Sequence, residues 1–164
     1  VTSNSLIEEK LRMLRNYGSK VKYYNEIAGF NSRLDEIQAG FLRIKLERLD
    51  AINDHKRRLA SIYLSEIPDS FIKPAVHPDY LDVYHIFNIR HEARDRLREF
   101  LAEKGVKTDI HYPVSPNRQK AMANVWTEAH PISELIHATT LSLPISYFHS
   151  EDDIRFVCET LKKF

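Results

Sequence analysis

Apolar residues recur at helical spacing along most of the chain, and the polar residues between them mark where the helices begin and end. Ile7, Leu11 and Leu14 predict a first helix, opened by a capping-box pair, Ser5 and Glu8, and ended at Gly18. Residues 19 to 31 form a polar, Tyr-rich connection. From Ser32 to Ile67 no proline intervenes, and Ile37, Phe41, Ile44, Leu49, Ile52, Leu59 and Ile62 recur near helical spacing. This predicts one long helix, or two with a kink near Asn53-Asp54; unbroken, it would span on the order of 50 Å. A helix of that length is expected to bridge two domains or to lie across a subunit interface.

Beyond Pro68 the pattern changes. Val83 to Arg90 alternates as a half-buried strand does. Arg94 to Lys104 predicts an amphipathic helix with Leu97, Phe100 and Leu101 inward, stopped by Gly105, and Val106 to Tyr112 predicts a second strand. Two strands joined by a helix suggest a βαβ unit or a small α/β sandwich, with strand direction open. Residues 133 to 143 and 151 to 163 predict two further helices, the last capped by Ser150 with Glu151, Asp152 and Asp153 in its first turn.

Composition narrows the class. With 164 residues, 43% apolar and 29% charged, the chain can bury a core and is neither disordered nor membrane-spanning in character. A net charge of +1 gives no electrostatic reason to expect nucleic acid or an anionic membrane. Lys56-Arg57-Arg58 reads as a solvated helix face. The single cysteine, Cys158, excludes an internal disulfide and lies in the apolar row Ile154, Val157, Leu161, which makes it core filler and fits a reducing, cytoplasmic setting. No apolar run approaches the roughly 18 residues of a spanning helix, and residues 1 to 15 lack a signal peptide's apolar centre.

Candidate chemistry is concentrated in two places. Ser32 reads as an N-cap with Asp35 and Glu36 in the first turn behind it, which puts Asn31 and Arg33 at a helix N-terminus. Free N–H groups, the helix dipole and a guanidinium fork suit a phosphate or carboxylate there. The plainer alternative has Asn31 closing a turn and Arg33 solvated. The second place is His111-Tyr112-Pro113, at the end of a predicted strand, where loops commonly line a cleft; a structural role is an equal alternative. The eight histidines show neither i, i+4 pairing nor a cysteine cluster, so no metal site is expected, and His85 reads as a half-buried structural residue. Ser115 and Ser142 lack a neighbouring base, which removes a hydrolase reading.

Four segments carry a resemblance. Gly29-Phe30-Asn31-Ser32-Arg33-Leu34-Asp35-Glu36-Ile37-Gln38-Ala39 resembles the G-x-N-x-R-L-D-E-x-Q-A segment of the DegT/DnrJ/EryC1/StrS family of pyridoxal-phosphate-dependent nucleotide-sugar aminotransferases. Val83-Tyr84-His85-Ile86-Phe87 is similar to the family's aromatic-rich strand, Lys107 to Pro113 to its T-x-x-H-Y-P strand end, and Leu141-Ser142-Leu143-Pro144 to its L-S-L-P turn. Val114-Ser115-Pro116-Asn117-Arg118-Gln119 departs from it, since many relatives have Pro-Leu-His or Pro-Pro-His before the Gln; a substrate role for a histidine there does not carry over.

The resemblance implies an α/β fold, the C-terminal portion of a fold-type I aminotransferase. Residues 1–45 would be the tail of the large cofactor-binding domain, and residues 46–164 the bridging helix and the complete small α/β domain. It places the lysine that carries the cofactor as a Schiff base upstream of residue 1; Lys20 and Lys22 lack its surroundings and read as loop residues. No catalytic residue is therefore assigned within the chain. It implies pyridoxal phosphate as cofactor, with Asn31 binding its phosphate across a homodimer and Arg33 binding a carboxylate or stabilising the loop. His111 and Tyr112 would face the sugar-nucleotide substrate. The implied reaction moves an amino group, usually from glutamate, onto a nucleotide-linked keto-sugar for lipopolysaccharide, another surface glycan or an antibiotic sugar. The alternative is a catalytically inactive truncated module that acts in dimerisation or interaction.

Overall fold

A computed structural model describes residues 2–126 and 128–164. The chain divides into two compact units, the first ending at Arg48 and the second running from Leu49 to Phe164.

The first unit begins with helix α1, Ser5–Leu14, capped by Asn4 rather than by Ser5. The Asn4 side chain accepts from the Leu6 and Ile7 amides at 3.0 and 3.2 Å. Glu8 does not reach back to complete a capping box but pairs forward with Arg12 at 2.7 Å, one turn on. The Tyr-rich connection contains a small antiparallel hairpin of β1, Ser19–Val21, and β2, Tyr24–Asn25. Two glycines let the backbone fold tightly here. Gly18 has φ +77, and a Cβ on it would meet Ile27 O at 1.7 Å, while a Cβ on Gly29 would meet Gly18 N at 2.2 Å.

Residues 30 to 32 then run back along the end of α1. Phe30 donates to Leu14 O at 2.7 Å and Ser32 to Arg15 O at 2.9 Å, with Asn16 and Asn31 forming a β-bridge. That pairing overturns the expected Ser32 cap, because the segment is held extended against α1. Helix α2, Glu36–Leu46, starts after Asp35, whose side chain makes no capping bond. It buries none of its residues: Ile37, Phe41 and Ile44 are all exposed.

The predicted long helix is two helices, α2 and α3, Leu49–Glu66, and the break falls at Glu47-Arg48, not at Asn53-Asp54. Asp54 pairs with Arg57 three residues on, which supports the helix where a kink was expected. At the break, the Arg48 amide bonds Lys45 O at 3.1 Å, the tighter i−3 pattern of a helix end.

The second unit is built on β3, Phe87–Arg90, and β4, Thr140–Leu143, paired antiparallel with Phe87 opposite Leu143, Asn88 opposite Ser142, Ile89 opposite Leu141 and Arg90 opposite Thr140. This register corrects the sequence reading twice. Thr140–Leu143 is a fully buried strand and not the end of a helix, since α5 stops at Thr139. Residues 106 to 112 are not a strand; only Asp109 bridges, to Ser142. The βαβ option falls with the antiparallel pairing. Strand β3 is also shorter than the alternation predicted, and Tyr84 ahead of it has φ 45.

One face of the ladder makes the core. Phe87, Ile89, Leu141 and Leu143 point to one side, where they join Leu59 and Tyr63 of α3, Leu97 and Leu101 of α4 (Arg94–Glu103), and Ile154, Cys158 and Leu161 of α6 (Glu151–Leu161). The Tyr63 ring lies 4.8 Å from that of Phe87, and its hydroxyl donates to Pro144 O at 2.8 Å. Cys158 is core filler as its spacing predicted, and burial pushes its thiol up to about 12. Helix α6 carries the predicted cap: Ser150 accepts from the Asp153 amide while the Asp153 carboxylate accepts from Ser150, which holds that carboxyl below its usual range. Gly105, at φ +80, follows the end of α4.

Arg94 ties α4 to the junction of α5 and β4. It is buried, and its guanidinium donates to His137 O at 3.3 Å and Thr140 O at 3.1 Å while pairing with Asp95 at 2.6 Å. Those carbonyls end one element and begin the next, so they have few other donors. Arg94→Ala is expected to lower the stability of the second unit by about 1–3 kcal/mol, the cost of leaving buried acceptors unpaired. Urea unfolding followed by circular dichroism checks this, and an unchanged midpoint would show that the clamp contributes nothing.

Candidate functional site

The sequence-predicted residues fall into the two units, two in each. In the first, Asn31 and Arg33 are exposed and joined, with Arg33 Nε donating to Asn31 Oδ1 at 2.9 Å. The guanidinium carbon also lies 5.7 Å from the Tyr17 ring centroid, and Nη2 reaches the Tyr17 hydroxyl at 3.5 Å. Neither residue is at a helix N-terminus, because α2 begins at Glu36 and the backbone of residues 30 to 32 is paired with the end of α1. No helix dipole therefore acts on a ligand there, and the site consists of side-chain donors. Bonding between Nε and Oδ1 turns the oxygen of Asn31 inward and leaves its amide NH₂ and the terminal guanidinium nitrogens as hydrogen-bond donors. That chemistry fits a phosphate.

A cavity of ≈ 460 Å³ also lies in the first unit, lined by Glu8, Glu9, Arg12 and Lys20. Its charges are already matched, Arg12 with Glu8 and Lys20 with Glu9, so it offers no group in want of a ligand.

In the second unit, a cleft of ≈ 350 Å³ opens beside β4, lined by His85, Lys107, Asp109, His111 and Ser142 among others. The backbone bridge between Asp109 and Ser142 holds the 107–111 segment against the strand. His111 is anchored through Nδ1, 2.8 Å from Ser142 Oγ, and its Nε2 lies 3.6 Å from Asp109 Oδ2. Tyr112 is placed differently. Its ring is 64% exposed and lies outside the cleft lining, edge-on to His111 at 5.4 Å, while its carbonyl meets His137 Nδ1 at 2.6 Å.

Sequence reasoning missed four of these cleft residues, Asp109 among them. His85 is exposed at the cleft and is not within the strand. Lys107 and Ser142 also line it, and the hydroxyl of Ser142 does have a base beside it, brought from 31 residues away. Lys56, read as part of a solvated face, is half-buried and donates to His85 O at 3.1 Å; burial lowers its ammonium's pKa. No group of histidine, cysteine, aspartate and glutamate able to hold a metal ion occurs among the described residues, and none of the helices is long and apolar enough to cross a membrane.

The segment that departs from the family pattern is tied down by Glu134. Its carboxylate accepts from Asn117 Nδ2 at 2.8 Å and from the His130 amide at 3.1 Å, and it pairs with Arg118 at 3.1 Å. These donors, Asn117 first, hold the Glu134 carboxyl below its usual range. Asn117 is itself buried, so its side chain anchors the loop.

Comparison with known proteins places these features in one family. The model of the DegT/DnrJ/EryC1/StrS aminotransferase family matches residues 1–162. The dTDP-3-amino-3,6-dideoxy-alpha-D-galactopyranose transaminase of Aneurinibacillus thermoaerophilus is 43% identical over 164 residues, covering 99% of this chain and 45% of the relative. The crystal structure of S. venezuelae DesV in complex with a ketimine intermediate superposes with a TM-score of 0.89 at 40% identity, over 99% of this chain and 45% of that one. NtdA from Bacillus subtilis, solved with bound cofactor PMP, superposes at 0.86 with 26% identity, over 99% of this chain and 40% of that one. The chain thus spans less than half the length of these relatives, and its fold is that of the C-terminal part of a fold-type I sugar aminotransferase. It belongs to the DegT/DnrJ/EryC1/StrS aminotransferase family.

Proposed function

We propose that this chain is the C-terminal part of a pyridoxal-phosphate-dependent aminotransferase that moves an amino group, from a donor such as glutamate, onto a nucleotide-linked keto-sugar. In this reading residues 1–45 are the tail of the large cofactor-binding domain, residues 46–164 are the bridging helix and small domain, and the cofactor-bearing lysine lies upstream. The reaction belongs to the cytoplasmic synthesis of sugars for lipopolysaccharide or another surface glycan.

The observation that carries the reading is the Asn31–Arg33 pair, a joined set of side-chain donors in the segment that carries the family pattern. Asn31 and Arg33 would hold the cofactor phosphate, Asn31 through its amide and Arg33 by orienting that amide and adding charge. Pyridoxal phosphate, when bound, supplies the electron sink and the amino-group carrier. His111 would meet the sugar from the cleft beside β4, and Tyr112 would add an exposed phenol next to it.

A homodimer in which one subunit lends Asn31 to its partner's site fits a second observation. Ile37, Phe41 and Ile44 of α2 expose their side chains, and apolar surface of that kind is covered by the rest of the large domain or by a partner subunit. The same observation favours the second reading, an inactive module acting in dimerisation or interaction.

The test uses an enzyme that carries this chain as its C-terminal part. A charge-assisted bond to phosphate contributes about 1.5–3 kcal/mol, so Asn31→Ala should weaken cofactor retention about 10- to 100-fold. Folding should be little changed, since Asn31 is exposed. Cofactor titration followed by absorbance measures the effect. Unchanged retention would remove Asn31 from the cofactor site and leave the module reading in place.

A further inference from the structure

The ladder face opposite the core carries a polar relay. Asn88 and Ser142 are cross-strand partners in the β3–β4 register, and their side chains meet on the face turned away from Phe87 and Leu141. Ser142 is 5% exposed, so its hydroxyl must find partners within the protein. It finds two. Oγ donates to Asn88 Oδ1 at 2.6 Å and lies 2.8 Å from His111 Nδ1.

A hydroxyl has one proton. With that proton given to Asn88, Ser142 can only accept from the imidazole, so Nδ1 must be the protonated nitrogen. In the neutral ring Nε2 is then a bare acceptor, the reverse of the tautomer that free imidazole side chains prefer in water. It lies 3.6 Å from Asp109 Oδ2, which is also an acceptor. Two acceptors at that spacing have nothing to offer each other. They suit a common donor entering the cleft, such as a sugar hydroxyl or amino group.

We propose that Ser142 and Asn88 are positioning residues that hold His111 as the Nδ1–H tautomer, presenting Nε2 beside Asp109 as paired acceptors for a hydroxyl or amino group of the sugar. The proposal rests on His111 as a substrate-cleft residue, but the tautomer is a property of the unliganded protein. Failure of the test below would therefore remove the relay and leave the cofactor and substrate reading standing, whereas failure of the Asn31 test would not touch the relay.

The experiment is long-range ¹H–¹⁵N correlation of the histidine rings in the uniformly labelled full chain, at alkaline pH where imidazoles are neutral. His111 should show a pyrrole-like Nδ1 and a pyridine-like Nε2. Asn88→Asp keeps an acceptor for the Ser142 proton, so the tautomer should persist. Asn88→Ala leaves that proton free to turn toward Nδ1, and the two nitrogen shifts should exchange places. A purely structural role for Asn88 would not separate these two variants. A wild-type ring already in the Nε2–H form would mean that the Asn88 amide is oriented the other way and donates to Ser142. That result alone overturns the proposal without recourse to any variant, as would identical ring shifts in Asn88→Asp and Asn88→Ala.

Discussion

A heterodimer of one subunit lacking the cofactor-bearing lysine and one carrying Asn31→Ala is expected to recover up to about half the wild-type activity, because one of its two sites is whole. The logic is geometric. If Asn31 serves the partner's site, the lysine-intact subunit receives a normal Asn31 from the lysine-deficient subunit, and both defects fall together in the other site. If Asn31 serves its own subunit, each site carries one defect, and only the lysine-intact site, weakened by Asn31→Ala, contributes. The assay should use cofactor concentrations that saturate the wild type but not the Asn31→Ala homodimer. Half-wild-type activity then supports lending across the dimer, and half the Asn31→Ala homodimer's activity refutes it. The exposure of Asn31 and of the neighbouring Phe30, 71% exposed, is what makes an intersubunit role physically available.

The largest stability loss is expected at Phe87. Its side chain is fully buried, 4.8 Å from the Tyr63 ring and 5.9 Å from that of Tyr84, and it pairs across the sheet with Leu143. Phe87→Ala removes a ring from the meeting point of α3, β3 and β4, and such truncations cost about 3–5 kcal/mol through lost burial and the cavity left behind. A domain has about 5–15 kcal/mol in total, so roughly a fifth or more of the second unit's stability goes. Hydrogen exchange at the Ile89 and Leu141 amides reads this directly, and their protection should fall by about two to four powers of ten. Phe148, 92% exposed, is the control: Phe148→Ala should leave the same amides within about 0.5 kcal/mol of wild type. Equal losses in the two variants would show that the core is not where burial places it.

What could be read from the sequence was local in its causes. The cap of α6 depends on Ser150 and Asp153, three residues apart, and the span of α4 on the spacing of Leu97 and Leu101 and on Gly105 beyond its end. Cys158 falls in the core because its helix repeats apolar residues at the right interval. The Asn31–Arg33 pair was found because both residues lie in one short, patterned segment, although the reason given for their placement was not the one the structure shows. A cap can be judged only if the backbone around it is free, and the Ser32 amide is occupied by the carbonyl of Arg15, just past the end of α1. The same limit hid the break at Glu47-Arg48, where no proline or glycine marks the end of α2.

The remainder was decided by contacts between residues far apart. Thr140 to Leu143 has a composition that extends a helix as readily as it forms a strand, and it is a strand because β3, some fifty residues earlier, offers a matching ladder. The cleft follows from that choice, since Ser142 meets His111 across 31 residues and Asn88 across 54. Sequence by itself determined the family and most of the helices, and pointed to Asn31, Arg33 and His111 as candidates, because helix periodicity, caps and short motifs act within a few residues. Only the tertiary structure decided which segment closes the sheet and which side chains share a proton beside it, because strand pairing and buried hydrogen bonds are settled by partners that the chain brings together from a distance.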